Sequence, residues 1–320
     1  ELEFNLFKTA TKEVIWDGTN TGGQKVPDGN YTFNLAATDP AGNQSVIAKT
    51  ITVDSTPPAF SGITVLPIIF SRLVSPKKTA INFQISERAN ANVGIYTAGN
   101  NLVKTMLAGV INPDRYGLEW DGRDAAGADA PEGVYKIYFQ ATDAAGNAGQ
   151  ATYEVTLDCT PPEFKNIQAV PPAISRLVPP GQSTISFDLS EKSNVEINVY
   201  DQNNALVKKL LAATLSGSGN TAIWDGTNEV GQSMPEGQYR VDLWGADIAG
   251  NVGTASIDVA IDSSSPIAFN LYAAPEVFSN ATPYSPPWGY PETFIHFTLD
   301  EPLWVYLNIT DAEKKHVKVL

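Results

Sequence analysis

The sequence predicts an all-β protein built from tandem seven-stranded β-sandwich domains. Three observations support this fold class: a long internal repeat, an alternation of apolar and polar residues, and turn residues that separate the alternating segments. The tripeptide Trp-Asp-Gly begins at Trp16, Trp120 and Trp224, and the segments Pro-(Asp/Glu)-Gly-X-Tyr and Asp-X-Ala-Gly-Asn recur with the same period of 104 residues. Such a period is about the size of one sandwich domain.

Apolar residues alternate with polar residues over short segments of the repeat. Ile81, Phe83 and Ile85 show this alternation, and so do residues 135–141 and 153–157. A period of two is typical of half-buried antiparallel strands. Seven such segments fall in one repeat, and none shows the helical period of about 3.6 residues. Seven strands in about 100 residues predict an immunoglobulin-like sandwich.

The repeat divides the chain into four parts. We expect complete immunoglobulin-like domains at residues 57–160 and 161–264, the C-terminal half of such a domain at residues 1–56, and the N-terminal half at residues 265–320. Half a sandwich would expose its inner face and its edge strands. We therefore expect further repeats of the same chain, or copies of itself joined by strand complementation into a filament, as partners.

Composition argues against several classes of function. The net charge is −14, from 35 acidic and 21 basic residues, which disfavours nucleic acid and anionic membrane surfaces as partners. No apolar run reaches transmembrane length, so membrane insertion is not expected. The single cysteine, Cys159, allows no disulfide within one chain, and Ser55 and Ser263 at the same repeat position indicate a need for a small residue. No nucleophile–base pair recurs with the repeat, so we expect no enzyme activity.

The repeated motifs have structural interpretations. We expect the tryptophans to fill the sandwich core rather than to stack on sugars. The Pro-X-Gly-X-Tyr segment predicts a tyrosine corner, in which the tyrosine hydroxyl bonds back to the main chain. The segment from Asp17 to Asp28 has acidic residues at both ends, as a calcium loop does, but its glycine is displaced and no helices flank it. An Asx turn is the better interpretation.

Together these motifs resemble the immunoglobulin-like domain family named after the flagellar hook-capping protein. The resemblance covers essentially the whole chain and extends to the strand ends Ser86-Glu87 and Ser190-Glu191. It implies a tandem array on a large secreted bacterial protein, outside the cell or at its surface. It implies no particular activity, because a fold does not determine a function.

The joints between domains are candidate calcium sites. In a seven-stranded sandwich, the loop after the second strand and the loop between the last two strands share one end, which the preceding linker also reaches. Carboxylate and amide oxygens that converge there suit Ca²⁺, although the same residues could merely cap turns or remain solvated. The expected ligand sets are Asp54, Glu87, Asp143 and Asn147 at the first joint, and Asp158, Glu191, Asp247 and Asn251 at the second. A third joint would place Asp262 opposite Asp300 or Glu301.

A second candidate site lies in the last unit. The segment between Phe278 and Ile295 is six residues longer than its counterpart in the earlier repeats, and it carries Tyr284, Trp288 and Tyr290 among several prolines. Aromatic residues on a stiff loop lose little entropy on binding, which favours an intermolecular contact. The alternative is that these rings fold back over their own sandwich edge.

These patterns predict a non-catalytic structural array: an extracellular stalk, fibre, filament or surface-layer element. The alternative is an array of adhesive modules that bind a glycan or a protein beside other domains of a larger secreted protein or enzyme. Exposed aromatic residues on one face would distinguish a binding module from a pure spacer.

Overall fold

The computed structural model describes residues 13–278, 292–300 and 304–319. Within these ranges every regular element is a β-strand, which confirms the all-β fold class. The same residues contain no helix long and apolar enough to cross a membrane. The first two strands, β1 (Gly29–Thr38) and β2 (Gln44–Val53), form an antiparallel hairpin.

Eight strands follow and form the unit that we call sandwich A. They are β3 (Phe60–Leu66), β4 (Ile69–Phe70), β5 (Thr79–Ile85), β6 (Ala89–Thr97), β7 (Leu102–Ile111), β8 (Arg115–Trp120), β9 (Gly133–Thr142) and β10 (Ala148–Leu157). They form a three-stranded sheet in the order β3-β5-β8 and a five-stranded sheet in the order β4-β10-β9-β6-β7. The two sheets enclose a main hydrophobic core and a smaller buried cluster of Ile85, Ala89, Ala91 and Ala141.

Eight further strands repeat this plan in sandwich B. They are β11 (Phe164–Val170), β12 (Ala173–Ile174), β13 (Ser183–Leu189), β14 (Ser193–Tyr200), β15 (Leu206–Leu215), β16 (Asn220–Trp224), β17 (Gly237–Ala246) and β18 (Val252–Ile261). Their sheets have the orders β11-β13-β16 and β12-β18-β17-β14-β15. The remaining strands pair as β19 (Ala268–Ala274) with β20 (Phe294–Leu299) and β21 (Asn308–Thr310) with β22 (His316–Val319).

The sequence predicts seven antiparallel strands per unit, but the first strand of each sandwich is split in two. In sandwich A, β3 pairs antiparallel with β5, whereas β4 pairs parallel with β10 in the opposite sheet. In sandwich B, β11 and β12 divide in the same way. The break falls at Pro67 and Pro171, which have no N–H to continue the first ladder.

The repeated tryptophans and tyrosines hold the sandwich cores. Trp120 and Trp224 are 0 % exposed, and each indole Nε1 donates to a main-chain carbonyl 2.9 Å away. Tyr239 packs against Trp224 with ring centroids 4.9 Å apart, and its hydroxyl donates to Pro235 O at 2.8 Å. Tyr135 makes the equivalent bond to the carbonyl of the proline four residues earlier. Both the core interpretation and the tyrosine corner are therefore confirmed for these residues.

The hairpin β1–β2 has the register of the last hairpin of each sandwich but lacks its burial. Gly29 pairs with Val53 just as Gly133 pairs with Leu157. Leu35 is nevertheless 66 % exposed, whereas its counterpart Phe139, 104 residues later, is 0 % exposed. Within the described residues the hairpin forms a two-stranded sheet of its own; Trp16 packs on Tyr31 and Phe33, and the rest of the apolar face is left uncovered at Leu35.

Replacing Trp224 by alanine should destabilise sandwich B by about 3–5 kcal/mol, because a fully buried indole is lost and a cavity remains. Scanning calorimetry of the full chain should then show one transition at lower temperature, with the transition of sandwich A unchanged. Trp244→Ala serves as the control, because Trp244 lies on the outer face of the same sandwich and is 38 % exposed. An equal shift of both transitions would show that the sandwiches do not unfold independently.

Candidate metal centre at the interdomain joints

Two short linkers form the joints between units. Joint 1 consists of residues 54–58 and joint 2 of residues 158–162, and each has the pattern Asp-X-Thr-Pro-Pro. The Asp54 carboxylate accepts the Thr56 amide at 3.1 Å, and the Asp158 carboxylate accepts the Thr160 amide at 3.1 Å. This Asx turn fixes the first half of each linker, and the paired prolines restrict the second half.

A carboxylate from the preceding unit holds each linker. Asp28 accepts hydrogen bonds from the Ser55 amide at 3.0 Å and from the Thr56 hydroxyl at 2.6 Å. At joint 2, Glu132 accepts the Cys159 amide at 3.1 Å and the Thr160 hydroxyl at 2.6 Å. These hydrogen bonds to a charged acceptor tie the linker to the unit behind it.

The side chain of the residue after the linker aspartate also accepts a hydrogen bond from a main-chain amide. Cys159 Sγ accepts the Arg72 amide at 3.4 Å, and Ser263 Oγ accepts the Arg176 amide at 3.1 Å at the equivalent position. Cys159 is only 8 % exposed. The position therefore takes a small side chain that can also accept a hydrogen bond, which explains the exchange of serine and cysteine.

An asparagine of the following unit also donates a hydrogen bond to the linker. Asn147 Nδ2 donates to the main-chain carbonyl of Asp54 at 3.1 Å and to Asp143 Oδ2 at 2.8 Å. Asn251 Nδ2 donates to the carbonyl of Asp158 at 3.0 Å and to Asp247 Oδ2 at 2.7 Å. The turn-capping interpretation is thus correct but incomplete, because each asparagine also binds the linker.

The linker also lies very close to the main chain of the following unit. The linker prolines Pro58 and Pro162 pass so close to the last hairpin that a Cβ placed on Gly149 or Gly253 would lie 1.8 Å from the proline carbonyl oxygen. No side chain fits at that distance, so only glycine allows the linker to lie on the sandwich at these two positions.

Three carboxylates meet at each joint. Oxygens of Asp54, Glu87 and Asp143 lie within 4.8 Å of one another, and a second group brings together Asp158, Glu191 and Asp247. In the part of the chain that the structure describes, no Lys, Arg or His nitrogen lies within 4.0 Å of these six carboxylates. The negative charges at each joint are therefore close together without a basic partner.

The electrostatics of the clusters reflect this crowding. Burial, together with the charges of Asp54 and Asp143, raises the pKa of Glu87 above its usual value. Burial and the charges of Asp158, Asp247 and Glu132 raise the pKa of Glu191 in the same way. Burial also raises the pKa of Asp158, although the Thr160 amide acts in the opposite direction. A bound cation would remove the repulsion that causes these shifts.

Asn251 supplies an independent sign that joint 2 is suited to a cation. The residue is 2 % exposed, and within the described residues its Oδ1 is buried and accepts no hydrogen bond, although its Nδ2 makes two. A buried amide oxygen without a donor is unusual in proteins. Amide oxygens are also ordinary Ca²⁺ ligands, so the donor set at joint 2 fits a hard cation.

The structure thus brings together the carboxylates that the sequence predicts at both joints, with Asn147 and Asn251 beside them. Calcium binding itself stays a prediction. At the third joint, Asp300 Oδ1 accepts the Ile267 amide at 2.9 Å, and Glu301 lies outside the described residues. The predicted contact residues Tyr284, Trp288 and Tyr290 also lie outside them.

The sequence interpretation missed the role of Asp28 and its repeats Glu132 and Glu236. The Asx turn that the sequence predicts at Asp17 is present, because Asp17 Oδ1 accepts the Thr19 amide at 3.0 Å, but no contact was predicted for the acidic residue at the other end of the segment. Glu236 accepts the Ser263 amide, so all three acidic residues bind the amide that lies 27 residues later. That constant spacing is the signal that could have revealed the contact.

Family comparisons agree with this architecture. Residues 71–145 and 176–247 match the model of the FlgD Ig-like domain, and residues 6–55 match that of a bacterial Ig-like domain. The chain therefore contains tandem immunoglobulin-like domains, and sandwiches A and B match the FlgD Ig-like pattern.

A curated relative and several solved structures are similar to the chain. An uncharacterized 81.3 kDa protein of Acholeplasma phage L2 is 26% identical in an alignment of 208 positions that covers 56% of this chain and 25% of that protein. A tetra-tandem repeat from the extending region of a large adhesion protein has 18% identity and a TM-score of 0.30, with 79% of this chain and 61% of that chain covered. A 1.5-MDa bacterial ice-binding adhesin has 16% identity and a TM-score of 0.33, with 73% and 75% covered. The chain thus spans about a quarter of the phage protein.

In a chelating buffer, the free energy of unfolding should rise as the pH falls from 7 toward 4.5, the ordinary value for a glutamate. Because the folded-state pKa of Glu191 and Asp158 is raised, the folded protein binds protons more readily than the unfolded chain over that range. Urea unfolding at a series of pH values measures the effect, and Glu191→Gln should flatten it. A decrease in stability over the same range would contradict the predicted repulsion.

At lower pH the trend should reverse. Burial opposes ionisation of Asp225, but hydrogen bonds from Thr227 and Lys208 lower its pKa to about 2. That favourable contribution is present above the ordinary value of 3.8 and is lost as the pH falls through about 2. Stability in chelator should therefore pass through a maximum between these two regimes.

Proposed function

We propose that this chain is part of an extracellular, non-catalytic structural array in which Ca²⁺ at each joint fixes the angle between consecutive immunoglobulin-like domains. The observation that carries the proposal is the identical construction of joints 1 and 2. Each linker is hydrogen-bonded to an acidic residue of the preceding unit and to an asparagine of the following unit. Three carboxylates meet at each joint.

The linker contacts support a defined angle even before a cation is considered. Hydrogen bonds from both neighbouring units restrict a linker that already contains two prolines. The carboxylates act in the opposite direction, because their mutual repulsion is relieved when the linker moves away from the following unit. A divalent cation that binds the linker aspartate together with Glu87 or Glu191 would convert this repulsion into a bridge between units.

An extracellular setting fits this mechanism. The chain has one cysteine and so no internal disulfide to stabilise it outside the cell, and its net charge of −14 suits a surface that collects divalent cations. Calcium at the joints would supply the cross-link that disulfides supply in other extracellular proteins. We propose that the array is a stalk, fibre or surface-layer element.

We propose further repeats of the same kind as the partners of this chain. In sandwich A, Phe139 packs against Phe83 with ring centroids 5.3 Å apart, and the counterparts of these two residues are Leu35 and Phe297. Leu35 is 66 % exposed and Phe297 is 39 % exposed, so two apolar faces that are complementary within a sandwich are uncovered here. Strands of another immunoglobulin-like unit, from the same polypeptide or from a second copy, would cover them.

Small-angle scattering and calorimetry of the full chain test the calcium proposal. Millimolar Ca²⁺ at about 100 times its Kd should stabilise each joint by about 2.7 kcal/mol, which raises Tm on the order of 10 °C for a small domain. Chelation should widen the distribution of interdomain angles. Glu191→Gln combined with Asp247→Asn should abolish the response at joint 2, whereas Glu154→Gln, an exposed residue on sandwich A, should leave it intact. Identical melting and scattering in chelator and in Ca²⁺ would refute the proposal.

The partner proposal has its own measurement. Mass spectrometry under denaturing conditions, compared with the native mass, shows whether the exposed faces are covered by a longer chain or by copies of the 34.3 kDa chain. Hydrogen exchange should show β1 and β2 protected only in the assembled state. A monodisperse 34.3 kDa monomer with that hairpin fully protected would exclude both arrangements.

A further inference from the structure

A groove crosses the outer face of the five-stranded sheet of sandwich B. Its volume is about 740 Å³, which lies in the usual range for small-molecule sites. Residues of β14, β17 and β18 line it, and they are mostly polar or aromatic. The joint residues take no part in it, so this inference is independent of the proposed calcium bridge.

The strand register arranges the groove as rows of side chains. In the first row, Trp244 lies between its cross-strand partners Glu196 and Thr254. In the second row, Asp242 lies between Asn198 and Ser256. The residues between them on β14, Val195, Ile197 and Val199, are buried in the core. Because successive side chains of a strand face opposite ways, both rows lie on the outer surface.

Trp244 offers the apolar part of the groove. Its side chain is 38 % exposed on a sheet face whose other outward residues are mainly polar. A flat aromatic surface surrounded by polar groups is the combination that binds a ligand with one apolar face and many polar edges.

The polar groups beside Trp244 are largely acceptors, and they are held in place. Arg240 donates from Nε to Asp242 Oδ1 at 2.7 Å and from a terminal nitrogen to Asp242 Oδ2 at 3.0 Å. Arg240 itself donates to Asn204 at 2.8 Å and lies 5.4 Å from the centroid of the Tyr200 ring. The Asp242 carboxylate is therefore fixed before any ligand arrives, which reduces the entropy lost on binding.

Asn198 lacks a partner in the middle of this arrangement. Its Oδ1 is buried and accepts no hydrogen bond from the described residues. Most buried amide oxygens in proteins have a donor, so this oxygen is an unusual feature beneath the groove, closed to an occupant. The acceptors that an occupant can reach are the carboxylates of Glu196 and Asp242, whose side chains are 44 % and 36 % exposed.

Sandwich A shows that the groove is not a general property of the fold. The counterparts of Asn198, Asp242 and Trp244 are Gly94, Tyr138 and Gln140. The Tyr138 ring packs against Tyr96 with centroids 5.1 Å apart, and a Cβ on Gly94 would lie only 2.9 Å from the Tyr96 ring. Two tyrosine rings thus occupy the space above Gly94. Gln140, with an amide side chain, stands where sandwich B has Trp244.

We propose that the outer groove of sandwich B binds a neutral glycan, with a pyranose ring stacked on Trp244. Sugar hydroxyls would donate to the carboxylates of Asp242 and Glu196. An anionic sugar is disfavoured, because the positive charges at the groove are already paired: Arg240 with Asp242 and Lys209 with Glu196 at 3.3 Å. The ligand therefore carries hydroxyl donors and no negative charge.

Nuclear magnetic resonance of the full chain tests this directly. The chain has six tryptophans, so the indole signal of Trp244 can be assigned from Trp244→Ala. The probes are cellobiose, maltose, lactose and diacetylchitobiose at millimolar concentration, with sialyllactose and a lysine-rich peptide as charged comparisons. All titrations are run both in Ca²⁺ and in chelator, so that failure of the joint proposal does not affect the result.

We expect a saturable shift of the Trp244 indole signal with at least one neutral disaccharide. Trp244→Ala and Glu196→Ala, both checked by calorimetry for unchanged melting, should weaken binding at least about tenfold. Gln140→Ala, at the matching position of sandwich A, should leave binding unchanged. The proposal is overturned if no neutral disaccharide gives a saturable shift, if only the peptide or sialyllactose binds, or if binding survives both groove variants.

Discussion

The attachment of each linker to both of its neighbours is the constraint on which the architecture depends. A chain of sandwiches joined by free linkers would sample a wide range of angles. Here the residues after Asp54 and Asp158 are hydrogen-bonded to the unit behind, while the carbonyl groups of the same aspartates are bound by Asn147 and Asn251 of the unit ahead. The orientation of one sandwich is therefore passed to the next through side chains that belong to the sandwiches themselves.

This constraint leaves other positions free to change. Inward residues of the strands, such as Ile137 and Val241, are fully buried and must fit the core. Outward residues on the same strands have no such requirement. The contrast between Trp244 and Gln140 shows that two units with the same joints and the same core can differ in the chemistry of an exposed sheet. A repeat array can thus gain a binding surface in one unit without altering its mechanics.

Much of the fold follows from the sequence because its determinants are local. The alternation around Ile81 and Phe83 identifies an inward face, and the segment from Pro131 to Tyr135 indicates the tyrosine corner. The meeting of Asp54, Glu87 and Asp143 could also be inferred, since sandwich topology decides which loops share an end. These expectations needed only strand order and the period of the side chains.

The remaining features depend on register and on distances between separate elements, which no local pattern reports. The hydrogen bond that the Cys159 amide donates to Glu132 joins two segments whose relative position is set by the register of β9 and β10. The groove beside Trp244 likewise exists because β14, β17 and β18 align Asn198 with Asp242 in one row. A comparison of outward positions between repeats would have marked Trp244 as unusual, but not the acceptor without a donor next to it.

The parallel pairing of β4 with β10 has a mechanical consequence. The chain enters sandwich A through joint 1 and leaves it from the end of β10, so tension applied to the chain at joints 1 and 2 would pull these two strands in opposite directions along their length. Their hydrogen bonds, from Thr156 N to Ile68 O at 2.8 Å and from Asp158 N to Phe70 O at 3.0 Å, run across that direction. Such a force would be borne in shear by both bonds at once rather than by one bond after the other. Sandwich B repeats the arrangement with bonds of 3.0 and 2.9 Å, so each unit resists extension at the same short pair of strands.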